Sequence, residues 1–149
     1  MQRSPTSQIL HASCVALAGR GLLILGASGS GKSSLSLQLM ALGADLVADD
    51  RVCLWPQDGQ LLAQAPERIA GVIEARGLGL LRASFVGPVA LAAAVDLDVI
   101  ESSRLPALSN IDILGQELPA FKRLEAAHFV PALLQFLKAG ALDPDAAFK

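Results

Sequence analysis

Eight consecutive residues, Gly26-Ala27-Ser28-Gly29-Ser30-Gly31-Lys32-Ser33, satisfy the pattern G-x-x-x-x-G-K-[ST] at every required position. The pattern constrains the fold because it works only between a strand and a helix. Both are in place. The apolar run Leu22-Leu23-Ile24-Leu25 predicts a buried strand ahead of the loop. Behind it, residues 34–42 read as a helix with Leu35, Leu39 and Leu42 on one buried face. Glycines let such a loop curl so that successive N–H groups point at phosphate oxygens, and the helix N-terminus adds partial positive charge. The whole stretch from Gly26 to Ser33 is therefore expected to bind a nucleotide. Lys32 would bring a mobile positive charge to the outer phosphates, and the Ser33 hydroxyl a ligand for Mg²⁺.

The second informative stretch is Asp45-Leu46-Val47-Ala48-Asp49-Asp50, an apolar strand ending in two carboxylates. In parallel α/β sheets ligands gather at the carboxyl ends of strands. Beside a phosphate cradle, Asp49 and Asp50 suit two tasks: holding Mg²⁺ or taking a proton from an attacking hydroxyl. Between these features Gly43 is placed to end the first helix. Upstream, an apolar strand from Ile9 to Leu17 carries His11, and Gly19-Arg20-Gly21 turns it into the strand before the loop, making a hairpin. Downstream, Val52–Trp55 and Gln60–Ala63 form a second hairpin around Asp58-Gly59. Residues 73–81, with Glu74, Arg76, Gly77 and Gly79 in an apolar run, fit either of two readings equally: glycines that allow close backbone approach, or a bulged strand bearing a surface ion pair. Residues 89–97 are the most aliphatic strand and the central one; 98–110 are polar and mobile in character, and 111–114 form an edge strand. A last helix runs from Pro131 to a stop at Gly140.

Composition narrows the functional classes. A net charge of −2 offers no electrostatic case for nucleic acid or an anionic membrane as partner. No apolar run reaches membrane-spanning length and the first residues lack a signal-type core, so a cytoplasmic protein is expected. Cys14 and Cys53 lie in apolar surroundings without metal-binding spacing and are expected to be reduced and buried. With 149 residues, 52% of them apolar, one domain is expected, with residues 1–7 and 141–149 as frayed tails.

In this order, His11, the Gly26–Ser33 loop, Leu46-Val47-Ala48-Asp49-Asp50 and Glu74-Ala75-Arg76-Gly77-Leu78-Gly79 resemble the catalytic domain of HPr kinase/phosphorylase over roughly residues 8–118. The resemblance implies an ATP- and Mg²⁺-dependent protein-serine kinase whose substrate is HPr, the phosphocarrier of the sugar phosphotransferase system. It implies an α/β P-loop domain of the phosphoenolpyruvate-carboxykinase-like type, a mixed central sheet with flanking helices. Residue by residue, Lys32 matches the phosphate-binding lysine and Ser33 the Mg²⁺-binding hydroxyl. One of Asp49 and Asp50 matches the carboxylate that accepts the serine proton, with Asp49 favoured. His11 matches an active-site histidine that tunes that carboxylate, Glu74 a second Mg²⁺ ligand, and Arg104 a mobile-loop arginine stabilising charge on the transferring group. The chain resembles the short α-proteobacterial members without an N-terminal domain. It has no counterpart of the segment linked to the reverse phosphorylase reaction, so the kinase direction alone is expected. The family's tendency to form hexamers implies a homo-oligomer. Two other classes fit the loop itself: a small-molecule kinase or NTPase, and a module that binds ATP without transfer.

Overall fold

A computed structural model of the chain describes residues 7–147. Its organising element is β9 (Val89–Ile100), the predicted central strand. On one edge β9 pairs in parallel with β3 (Arg20–Leu25), the strand that leads into the glycine loop. Its other edge is shared: β6 (Gln60–Gln64) pairs antiparallel with its start, and β11 (Gln116–Arg123) pairs in parallel with its end. Beyond β3 lie β2 (Ser13–Leu17) and then β4 (Asp45–Ala48), each antiparallel to its neighbour. Beyond β6 come β5 (Val52–Gln57) and β1 (Gln8–Leu10), while β10 (Ser109–Ile113) pairs with β11. The sheet is thus mixed and mostly antiparallel. Two reversals make β4 run the same way as β3, so the C-terminal ends of β3, β4, β9 and β11 all lie along one edge.

Alternation along the strands builds a core on each face. Cys14, Ala16, Leu23, Leu91 and Ala94 face one cluster, which the curl of β5, β6, β10 and β11 closes with Val52, Leu54, Leu61, Ala63, Ile113 and Leu118. Val15, Leu22, Ile24, Ala93, Val95 and Leu97 face the other, covered by α1 (Lys32–Ala41) and α2 (Phe129–Ala139). From α2 come Leu133, Leu134 and Leu137, and Phe136 meets Phe121 edge-on with centroids 4.9 Å apart. Pro131 sits in the first turn of α2 and Gly140 is its C-cap, as the sequence predicts. Both cysteines are buried, as expected, and burial pushes the Cys14 thiol far above its ordinary range.

Several expectations need correction. The first strand is broken at His11-Ala12: β1 leaves to pair with β5, whereas β2 pairs with β3 and β4. Ala18 and Gly19 make the turn that follows, and Arg20 already belongs to β3. In α1 the buried set is Leu35, Ser36 and Leu39; Leu42 is the exposed C-cap, and the chain leaves through Gly43 at φ 113°. Residues 73–81 are two strands, β7 (Val72–Ala75) and β8 (Gly79–Arg82), forming a separate hairpin sheet. The strand β11 has no counterpart in the sequence reading, and β9 extends through Ile100 into the segment expected to be irregular. In the expected C-terminal tail, residues 141–143 carry no regular structure and Pro144–Ala147 form a short helix, α3; residues 148–149 and residues 1–6 lie outside the described residues.

Candidate active site

The glycine loop leaves β3 at the sheet edge where the four strand ends converge. Two of its glycines are required by geometry. Gly26 adopts φ 153°, and a Cβ there would collide with the Ser30 hydroxyl. Gly31 adopts φ 101° as the N-cap of α1, with no side chain capping the first turn, so the helix begins with its N–H groups open to a ligand. Lys32 folds back over the loop, its Nζ donating to the carbonyls of Gly26 (2.8 Å) and Ala27 (3.0 Å). Those are polar contacts a phosphate could replace. A cavity of about 370 Å³ opens over the loop, with Ser28, Lys32, His11, Asp50, Glu74 and Arg76 among its lining residues.

The acidic pair divides at this cavity. Asp49 is buried, 5% exposed, and both its oxygens are engaged. Oδ1 accepts hydrogen bonds from Ser33 Oγ (2.7 Å) and Ser13 Oγ (2.8 Å), and Oδ2 accepts one from the Glu74 backbone N–H (3.0 Å). One carboxylate thereby ties β2, the start of α1 and β7 together. Asp50 is its opposite. It adopts φ 67°, a left-handed conformation that aspartate tolerates better than most residues, just beyond the end of β4. Its side chain is exposed, lines the cavity, and lies 3.5 Å from His11 Nδ1 and 3.8 Å from Arg51 Nε. The break in the first strand explains His11: Ala12 N–H donates to Asp50 O at 3.2 Å, holding the bend beside the carboxylate.

Glu74 lines the cavity from β7, and Arg76 lines it from the hairpin turn, beside Gly29 of the loop. Among the described residues these two form no ion pair with each other, against the second of the two sequence readings; both line the site. Arg104 is not brought there. It is exposed on the segment between β9 and β10 and does not line the cavity.

Three participants escaped the sequence reading. Ser13 looked like one more residue of an apolar strand, although a hydroxyl at a fully buried strand position must find a partner. Arg76 was visible but given no role in the site. Asp98, at the end of β9, accepts the Ala27 N–H with both oxygens, at 2.9 and 3.1 Å, and so holds the start of the loop.

The donor set can be tested against the implied Mg²⁺. Among the described residues no three acidic, thiol or imidazole groups converge on a point. The groups at hand are oxygen donors, the preference of a hard cation: the Ser33 hydroxyl, which gives its proton to Asp49 and leaves lone pairs outward, and the nearby Glu74 carboxylate. They fit an ion that completes its coordination with water and substrate phosphates.

Comparison with known proteins identifies the family. The family profile described as the HPr Serine kinase C-terminal domain matches residues 3–126. The HPr kinase/phosphorylase of Clostridium beijerinckii is 44% identical over 72 residues, 48% of this chain and 24% of that protein. That of Lactiplantibacillus plantarum is 39% identical over 95 residues, 62% of this chain and 30% of that protein. The matched stretch thus spans about a quarter to a third of these curated relatives. A solved structure, the Hpr(Ser) kinase/phosphatase from Coxiella burnetii, superposes with a TM-score of 0.71 at 27% identity, covering 88% of this chain and 93% of the other. No described helix is long and apolar enough to cross a membrane. The chain belongs to the HPr serine kinase C-terminal domain family.

Proposed function

We propose that this chain transfers the terminal phosphoryl group of ATP to a serine hydroxyl of an HPr-type phosphocarrier protein. The observation that carries the reading is the division of labour between Asp49 and Asp50. A buried carboxylate holds the Ser33 hydroxyl, while its exposed neighbour lines the same cavity as Lys32. A module that only senses nucleotide has no use for that second, exposed carboxylate.

In this reading Asp50 is the general base, where the family resemblance read from the sequence favoured Asp49. A carboxylate already accepting three hydrogen bonds is poorly placed to receive a proton, whereas Asp50 is accessible from the cavity mouth. The serine O–H proton passes to Asp50 as the serine oxygen attacks the terminal phosphorus, and the bond from phosphorus to the bridging oxygen breaks, releasing ADP. His11, 3.5 Å away, orients the Asp50 carboxylate. Lys32, released from the loop carbonyls, and Arg76 supply positive charge to the phosphates. Ser33 and Glu74 would hold Mg²⁺, with Asp49 fixing the Ser33 rotamer. The ion supplies charge neutralisation of the donor phosphates.

The test is incubation of the purified chain with labelled ATP, Mg²⁺ and purified HPr-type proteins. Phosphoserine on the carrier is the expected product. ATP binding without label transfer to any carrier would overturn the kinase reading in favour of a sensing module.

A further inference from the structure

A second cavity, of about 310 Å³, lies on the opposite flank of the glycine loop from Asp50. Gly31 and Ser34 line both cavities, so the two adjoin at the start of α1. The second one opens at the C-terminal ends of β9 and β11. Its apolar side is made by Leu97 and Val130, and its polar side by Gln38, Arg123 and Glu125. Arg123 stands at the junction. Its Nη1 lies 3.4 Å from the Leu97 carbonyl, and its Nη2 lies 3.9 Å from the point a Gly31 Cβ would occupy.

We propose that this second cavity receives the nucleoside end of the phosphoryl donor, an inference that rests on the kinase reading above. A polyphosphate chain lying on the loop has two ends. If transfer occurs beside Asp50 and His11, the non-reacting end leaves on the β9–β11 flank, where the second cavity begins. The walls match the chemistry of a nucleoside. A guanidinium plane stacks on a heterocycle or contacts the first phosphate, and an apolar wall covers the opposite face of a base. The Gln38 amide can both donate and accept, while the Glu125 carboxylate accepts, which suits a base with an exocyclic amino group. The volume falls at the lower end of the range of ~300–1,000 Å³ usual for ligand clefts.

The experiment compares two probes on the full chain with Mg²⁺: a non-hydrolysable ATP analogue, and inorganic tripolyphosphate, which lacks the nucleoside. Ala126→Trp and Gln38→Trp each place a large side chain at the second cavity from an exposed position, on two different elements. For either folded variant, calorimetry should give a dissociation constant for the ATP analogue raised by about tenfold or more, with that for tripolyphosphate within about twofold of wild type. Unchanged affinity for the ATP analogue in both variants overturns the proposal. So does an equal loss of both probes, because the cavity would then serve the phosphates. If the wild-type chain binds neither probe, the kinase reading falls and this inference falls with it.

Discussion

Two strand ends flank the glycine loop, β4 on one side and β9 on the other, and each delivers a pair of carboxylates. They are used differently. At β9 both are occupied with structure: Asp96 Oδ1 accepts the Asp98 N–H at 2.9 Å, and Asp98 in turn accepts the Ala27 N–H at the loop's entry. At β4 only the first carboxylate is structural. Asp49 holds the loop's exit through Ser33, and the positive φ of Asp50 turns the next one out into the cavity. The loop is therefore pinned at both ends by carboxylates, and among the described residues Asp50 alone of the four accepts no hydrogen bond from a backbone N–H or a hydroxyl. The comparison teaches that acidity at a strand end does not by itself mark a catalytic group. In the kinase reading, Asp50 is set apart because its close partners are the exposed side chains of His11 and Arg51.

The comparison can be broken most severely at Asp49. Asp49→Ala leaves two hydroxyls and a backbone N–H without their acceptor, so thermal or denaturant unfolding should register a loss of roughly 2–4 kcal/mol. The Mg²⁺ concentration needed for activity should rise as well, because Ser33 is no longer oriented. A loss under about 0.5 kcal/mol, the range of an ordinary surface substitution, would mean that Asp49 does not organise the site. The β9 side should be milder. Asp98 is exposed, and Asp98→Ala removes one cap, worth about 0.5–1 kcal/mol at most. Affinity for the ATP analogue should fall by about threefold with little change in melting temperature. An effect as large as that of Asp49 would make the two ends equivalent. Smallest of all is Arg104→Ala. Because Arg104 does not line the cavity, calorimetry should give wild-type affinity for the ATP analogue within about twofold. A tenfold loss would mean that its segment closes over the bound nucleotide.

Much of this site was legible because its signals are local. The loop pattern, the strand ahead of it and the helix behind it occupy one continuous stretch. Asp58-Gly59 announces its hairpin, and the two residues adopt φ 53° and 75°, the pair of positive values such a turn requires. What stayed hidden depends on tertiary partners. The strand β11 carries Glu117, Pro119, Lys122 and Arg123 and buries only Leu118 fully, so its pattern is neither alternating nor apolar; its place between β9 and β10 makes it a strand. The β7–β8 segment looks continuous because Arg76-Gly77-Leu78 turns without a Pro, Asn or Asp to announce it. Asp49 and Asp50 are adjacent and chemically identical. The hydroxyls of Ser13 and Ser33 and the backbone N–H of Glu74, all contributed by other elements, decide which carboxylate turns inward.

The most direct test of that division is single-turnover phosphoryl transfer from bound ATP to the carrier serine, measured side by side in Asp50→Asn and Asp49→Asn, with ATP-analogue affinity measured on the same samples. Asparagine tolerates the left-handed backbone at position 50, so the fold there is preserved. Asp50→Asn should slow transfer by about 10²–10⁴-fold, the usual contribution of a positioned base, with nucleotide affinity unchanged or slightly higher. The defect of Asp49→Asn should shrink as Mg²⁺ is raised. Transfer at the wild-type rate in Asp50→Asn, or a magnesium-independent collapse confined to Asp49→Asn, would contradict the division.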